Sequence, residues 1–228
     1  MKQKIKFNLK YKFMRYLPSI FHSINYFRFP DSTAVIENDI IIDGYMRSSN
    51  TFSYHAFKYL NEESSISHHR HSSAGLLFGI KNNIPILLLI RKPSDVFIST
   101  YIFKNQEISF KDIAKSWIMF YEALLPFKNK IFVGDFNIVT KDFSKVIKNI
   151  NNFYGKNFNY YTKNNFNDLI FQNIKKVHKN VNRQVLHDRI ALPNKKRIEK
   201  KTLLNNKMEN EIPNLLEQSN KLYSKFIK

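Results

Sequence analysis

No cysteine occurs among the 228 residues, which excludes disulfides, thiol nucleophiles and cysteine-held zinc. A cysteine-free chain fits a reducing compartment, so a cytoplasmic location is the expectation. Glycine and proline are scarce as well, at 5 and 7 residues, which argues against a repetitive or loop-dominated protein. Acid is the third shortage: 18 Asp and Glu face 37 Lys and Arg, a net charge of +19. Such a chain calls for an anionic partner: nucleic acid, an acidic membrane, or a phosphorylated or sulfated small molecule. Long hydrophobic runs are missing. The longest, Ile84 to Ile90, is far too short to cross a bilayer. The basic N-terminus has neither a continuous apolar stretch nor a small-residue cleavage site, so no secretory leader is evident.

Against these shortages stand 21 Phe and 12 Tyr in a chain that is 43% hydrophobic, enough for a sizeable core. The length suits one α/β domain, expected over residues 31–228. Residues 1–30 form a basic, aromatic extension. Lys2, Lys4, Lys6, Lys10, Lys12, Arg15 and Arg28 are interleaved with Phe7, Tyr11, Phe13 and Phe27, and no acid intervenes. Two readings stay open for it. One is an arm that touches a membrane surface or a polyanion; the other is a segment packed on the domain by its aromatics.

Ile40 to Ile42 reads as a buried strand. A helix follows from Asn50 or Thr51, with Phe52, Ala56, Phe57 and Leu60 on one face. Asn61 to Ser65 is a polar break, and Ser72 to Ile80 is a second helix. Ile84 to Ile90 is another buried strand, and Pro93 suits the first turn of the helix after it. Ile113 to Leu124 has helical spacing, Lys130 to Gly134 is a third strand, and Phe143 to Tyr154 a helix ended by Gly155. Residues 166–200 are weakly patterned and very basic, and Ile212 to Phe226 closes the chain as an amphipathic helix. The order β-α-α-β-α-α-β-α, with fully apolar strands, predicts an α/β fold with a parallel sheet flanked by helices on both faces.

Two segments carry chemistry. Gly44-Tyr45-Met46-Arg47-Ser48-Ser49-Asn50-Thr51-Phe52 runs from a strand end through a hydroxyl-rich turn into a helix. Backbone N–H groups at such a turn attract anions, and Arg47 adds charge. The Gly-Lys-Ser/Thr ending of nucleotide triphosphatases is missing, so there is no lysine and magnesium-ligand pair. The second segment delivers Arg91 from a buried strand, with Ser99 eight residues later on the next helix. Both segments suit phosphate-like groups, and together they point to a nucleotide-type ligand with anionic groups at both ends. Between them lies Ser67-His68-His69-Arg70-His71. Without cysteine or a nearby carboxylate these histidines are a poor metal set, and no metal is expected.

The two segments resemble the sulfotransferases that use 3′-phosphoadenosine 5′-phosphosulfate (PAPS). Gly44 to Phe52 is similar to that family's phosphosulfate loop, Pro-Lys/Arg-Ser-Gly-Thr/Asn-Thr and a large apolar residue. Arg91, Pro93, Asp95 and Ser99 are similar to its 3′-phosphate motif. Ile131 to Gly155 resembles its strand–acidic turn–helix segment, so the likeness covers roughly residues 38–155. It implies a P-loop-like sulfotransferase architecture and in-line transfer of a sulfuryl group from PAPS to a hydroxyl or amine. The acceptor expected is a small molecule or glycan, carbohydrate first because loop-borne basic and aromatic residues suit sugars, and no specific nucleic-acid partner is expected.

Carried over residue by residue, the likeness assigns Arg47 to charge on the bridging and leaving oxygens. It assigns Ser48, Ser49, Asn50, Thr51 and Phe52 to the 5′-phosphosulfate, and Arg91 and Ser99 to the 3′-phosphate. His68 or His69 takes the role of base, which imidazole suits near neutrality. The family's C-terminal Arg-Lys-Gly motif is absent, and Lys195 and Arg197 are the candidates for its work on the 3′-phosphate. Met46 stands where the family has Pro and Ser49 where it has Gly, so Ser49 must accept the backbone geometry a glycine takes. Two other functions compete: an atypical P-loop kinase, and a non-catalytic polyanion-binding protein using residues 1–30 and the Lys175–Lys201 region.

Overall fold

A sheet covered on both faces follows from strands without polar alternation, and the computed structural model has one. It describes residues 2–161, 166–180 and 195–228, with the backbone alone for 2, 167, 175–180 and 195–200. Helices α1 (Lys2–Tyr16) and α2 (Pro18–Arg28) precede strand β1 (Ile40–Gly44). Helix α3 (Asn50–Leu60), strand β2 (Ile66–His68) and helix α4 (Ser73–Lys81) lead to strand β3 (Ile86–Ile90). Helices α5 (Pro93–Phe103) and α6 (Phe110–Glu122) precede strand β4 (Phe132–Asp135). The chain continues through α7 (Phe136–Lys141), α8 (Phe143–Tyr154), α9 (Phe166–Asn180), α10 (Lys195–Glu211) and α11 (Pro213–Ile227).

The strands are parallel in the order β2-β1-β3-β4. Successive side chains alternate between the two faces. Ile41, Ile86, Leu88 and Ile90 join a core built with α1, α4, α5, α6 and α11. Ile40, Ile42, Leu87 and Leu89 join a second core under α3, α8 and α9. From β1 the chain first steps outward to β2, then returns past β1 to β3. The strand order therefore reverses at β1, and the crevice beyond the carboxyl ends of β1 and β3 is where such sheets take ligands.

Two differences from the sequence reading have physical causes. Among the described residues the sheet has four strands rather than the three expected. Strand β2 is three residues long and contains Ser67 and His68, so it shows no apolar run, and its pairing with β1 supplies what its own sequence lacks. Residues 166–180, expected to be weakly patterned, form α9, which buries Phe166, Ile170 and Ile174 at four-residue spacing. Residues 2–28 are two helices, and α1 buries Phe7, Tyr11 and Met14 in the larger core.

Candidate active site

Strand β1 ends in Gly44, where nothing larger fits. A Cβ there would stand 2.2 Å from the Leu89 carbonyl oxygen of β3. The following turn is anchored from α6: Tyr45 N–H donates to the Tyr121 hydroxyl (3.3 Å), which donates to the Leu89 carbonyl (2.7 Å). The hydroxyl of buried Tyr45 shares a hydrogen bond with Ser116 Oγ at 2.7 Å. Asn50 Nδ2 donates back to the Tyr45 carbonyl (3.1 Å) and closes the loop.

Within this loop Arg47 has φ 69° and Ser49 φ 71°, while Ser48 between them stays out of the left-handed region. Alternation of this kind builds the concave backbone nests that hold anions. Ser49, in the place of glycine, adopts the left-handed geometry directly before α3, and its hydroxyl donates to the Ser48 carbonyl. Phe52 is turned into the core against Phe143 and Phe171, so its backbone rather than its ring is what it presents to a ligand.

Arg91 leaves β3 at the neighbouring strand end. Its Nη1 donates to the Arg47 carbonyl at 3.3 Å, and its guanidinium lies 3.9 Å over the Phe136 ring. The buried Nε has no hydrogen-bond acceptor, and the nearest carboxylate, Asp95 Oδ2, is 3.9 Å away. Burial draws the guanidinium below its ordinary value, with Asp95 acting the other way. Lys201 from α10 holds Asp95 at 2.5 Å, so Asp95 is shared between two cations. Ser99 Oγ accepts from Arg47 Nε at 2.9 Å. Arg47, Arg91 and Ser99 thus converge, but the direct contact of Ser99 is with Arg47 rather than with Arg91. A desolvated cation with an orphan donor, beside a nest, fits a doubly anionic nucleotide.

The histidine segment faces the same loop. His69 Nε2 is 3.1 Å from Thr51 Oγ1, and its Nδ1 is 2.7 Å from His68 Nδ1. His68 stacks on Tyr54, with ring centroids 3.7 Å apart. Burial lowers His68 to about 4, with Arg70 and His55 adding to the effect and Asp43 opposing it. Burial, then the neighbouring His71 and His68, lower His69 to about 3. Both imidazoles are therefore neutral at physiological pH, the form that accepts a proton. His69 (φ 57°) and His71 (φ 49°) are also left-handed. Among the described residues, four of the seven non-glycine residues with positive φ lie in these two facing loops, and such strain concentrates where a ligand is gripped.

Asp43, His71 and Lys10 were not anticipated from the sequence. The Asp43 carboxylate is buried, which pushes it up. Hydrogen bonds from His71 and from the Gly44 and Ser72 N–H groups outweigh this and hold it below its ordinary value. His71 Nδ1 lies 3.0 Å from the Gly44 carbonyl and 3.5 Å from Asp43, which pins the ring beside the strand end. Lys10 reaches in from α1 to the Arg70 carbonyl (3.2 Å). Burial lowers it to about 8; Arg70 and Lys104 act in the same sense and Asp43 opposes. Asp43 carried a signal in its position at a strand end; Lys10 carried none, because only the packing of α1 brings it here.

Lys195 and Arg197 lie at the start of α10, and their side chains are outside the described residues. Among the described residues, no group of three His, Cys, Asp or Glu has the arrangement of a metal site. An open groove of about 780 Å³ on α10 and α11, lined by Leu216, Glu217 and Lys221, shares no residue with this cluster.

The fold is that of the sulfotransferases. The crystal structure of mouse sulfotransferase SULT7A1 complexed with PAP matches 86% of this chain and 91% of its own, with a TM-score of 0.52 and 13% sequence identity. No family model matches the chain, and no curated protein does.

Proposed function

We propose that the chain is a PAPS-dependent sulfotransferase acting on a hydroxyl or amine, with a carbohydrate as the acceptor class best suited to its basic and aromatic loops. One observation carries the reading: half-buried Arg91, whose buried Nε has no hydrogen-bond acceptor, donates through Nη1 to the Arg47 carbonyl of the left-handed Arg47–Ser49 turn, at the switch point of the sheet. A phosphosulfate loop needs the turn, and a 3′-phosphate needs the buried cation.

Each residue then has a task. The backbone of Ser48 to Phe52 and the Thr51 hydroxyl hold the 5′-phosphosulfate at the N-terminus of α3. Arg91 Nε donates to the 3′-phosphate, the group that separates this nucleotide from ADP. Arg47, whose Nε donates to Ser99 at 2.9 Å, neutralises charge on the leaving phosphate oxygen. As the acceptor oxygen bonds to sulfur and the bond from sulfur to the 5′-phosphate breaks, His68 or His69 takes the acceptor proton. The contact of His69 with Thr51 favours His69 for this role. A weak base suffices, because the hydroxyl proton becomes acidic as the new bond forms.

Calorimetric titration with 3′-phosphoadenosine 5′-phosphate, ADP and ATP–magnesium tests this. The expected result is micromolar affinity for the first compound alone. Arg91→Ala should weaken that binding about ten- to a hundredfold, the worth of hydrogen bonds to a charged group. Equal affinity for all three compounds, or for none, would overturn the proposal. Preference for ATP–magnesium would favour the kinase reading.

A further inference from the structure

Helix α1 is apolar on two opposite sides. Phe7, Tyr11 and Met14 point into the core and are buried, while Ile5 and Leu9 point away from it, with Leu9 63% exposed. Four-residue spacing puts Ile5 and Leu9 in one stripe. Helix α2 repeats the arrangement. On its inner side His22 stacks on Phe78 at 4.3 Å and Phe21 packs against the core. On its outer side Ile20, Ile24 and Phe27 are uncovered, with Phe27 83% exposed. No residue of α2 is buried, so this helix is held by one side only. Leu17, at the bend between the helices, is exposed too. Single exposed apolar residues are ordinary; a run of them on two consecutive helices marks an interaction surface.

Charge selects the partner. Lys6, Lys12, Arg15 and Arg28 are exposed around these stripes, and residues 1–30 contain no acid. The bases that lean inward are already engaged, Lys4 with Asp112 at 3.2 Å and Lys10 with the Arg70 carbonyl. A second copy of this chain would set one basic face against another. An anionic bilayer surface offers both an apolar boundary for the aliphatic stripe and phosphates for the bases. Among the described residues no helix is long and apolar enough to cross a membrane, so the helices would lie on the surface.

We propose that the outer face of α1 and α2 docks on an anionic lipid surface, with Ile20, Ile24 and Phe27 at the acyl boundary and the four exposed bases among the headgroups. The proposal is independent of the transfer reaction. The test is sedimentation of the full chain with phosphatidylcholine vesicles prepared with and without phosphatidylserine, at near-physiological salt. The chain sediments with the phosphatidylserine vesicles only. Ile20→Asp/Phe27→Asp and Lys12→Glu/Arg15→Glu each lower the bound fraction at least about tenfold, since each Lys or Arg at such a surface is worth about 1 kcal/mol. The melting temperatures of both variants stay at the parent's, because none of the four side chains is buried. Phe27→Ser, the mildest change, gives a smaller loss in the same direction. The proposal is overturned if phosphatidylserine vesicles leave the chain in solution, or if the variants bind as the parent does. It is equally overturned if sedimentation velocity finds a dimer that Ile20→Asp/Phe27→Asp dissolves.

Discussion

Ser49 holds a backbone conformation that a side chain resists. Its φ of 71° costs an L-residue about 1–2 kcal/mol relative to glycine. Ser49→Gly recovers part of this and loses part to the freer unfolded chain, so a net gain of about 0.5 kcal/mol is expected in urea denaturation. Ser49→Val, β-branched in a left-handed position, should lose about 1–2 kcal/mol, and nucleotide binding with it. That Ser49 must take a glycine's geometry was legible in the sequence; what holds it there was not, because the Tyr45–Asn50 and Tyr45–Tyr121 bonds that fix the loop form only in the fold.

His68 and His69 predict a pH dependence at the same scale. Their values, about 4 and about 3, lie below the ordinary 6.5. Between these limits the unfolded chain binds more protons than the folded one, so folding stability falls with acid. The loss begins as pH drops through about 6.5 and levels off near 3 to 4. A series of urea midpoints from pH 7 to pH 4 should show the decline, and His68→Gln/His69→Gln should flatten it; an unchanged slope would refute the assignment.

At the scale of elements, the approach of β1 to β3 is the tightest constraint. A methyl group at Gly44 meets a backbone carbonyl at 2.2 Å rather than a movable side chain. Gly44→Ala is expected to cost about 3 kcal/mol or more, read from the urea midpoint, or to leave the protein insoluble. Strands β1 and β3 were readable because Ile40–Ile42 and Ile86–Ile90 are continuous apolar runs with turn residues after them. Strand β2 was not, because three residues of mixed polarity carry no period. Helix α1 was hidden for the opposite reason. With apolar residues on two faces, it has no single stripe to detect.

At the scale of the whole molecule, α1 is part of the core. Three buried side chains, Phe7, Tyr11 and Met14, contribute roughly 1.5–3 kcal/mol each as an upper estimate. Deleting residues 2–16 also removes Lys10 from the site and uncovers Tyr45, whose ring centroid is 5.4 Å from that of Tyr11. The truncated chain is expected to lose about 4 kcal/mol or more and to aggregate, as a thermal melt with light scattering would record. A truncated chain that melts like the parent would show that α1 is dispensable.

The amino-acid sequence by itself determined the layered α/β class, the two strand ends with their hydroxyl- and arginine-bearing segments, and the absence of thiol chemistry. These follow from local patterns: apolar runs, a hydroxyl-rich turn after a strand, an arginine and a serine eight residues apart. Only the tertiary structure decided that Ser99 grips Arg47, that Asp43 and His71 stand together, and that Lys10 reaches the Arg70 carbonyl. Those contacts join residues 28 to 60 positions apart, and one of them depends on a helix docking across the core. No window of sequence contains such a pair, because sheet order and helix packing, not chain proximity, bring its members together.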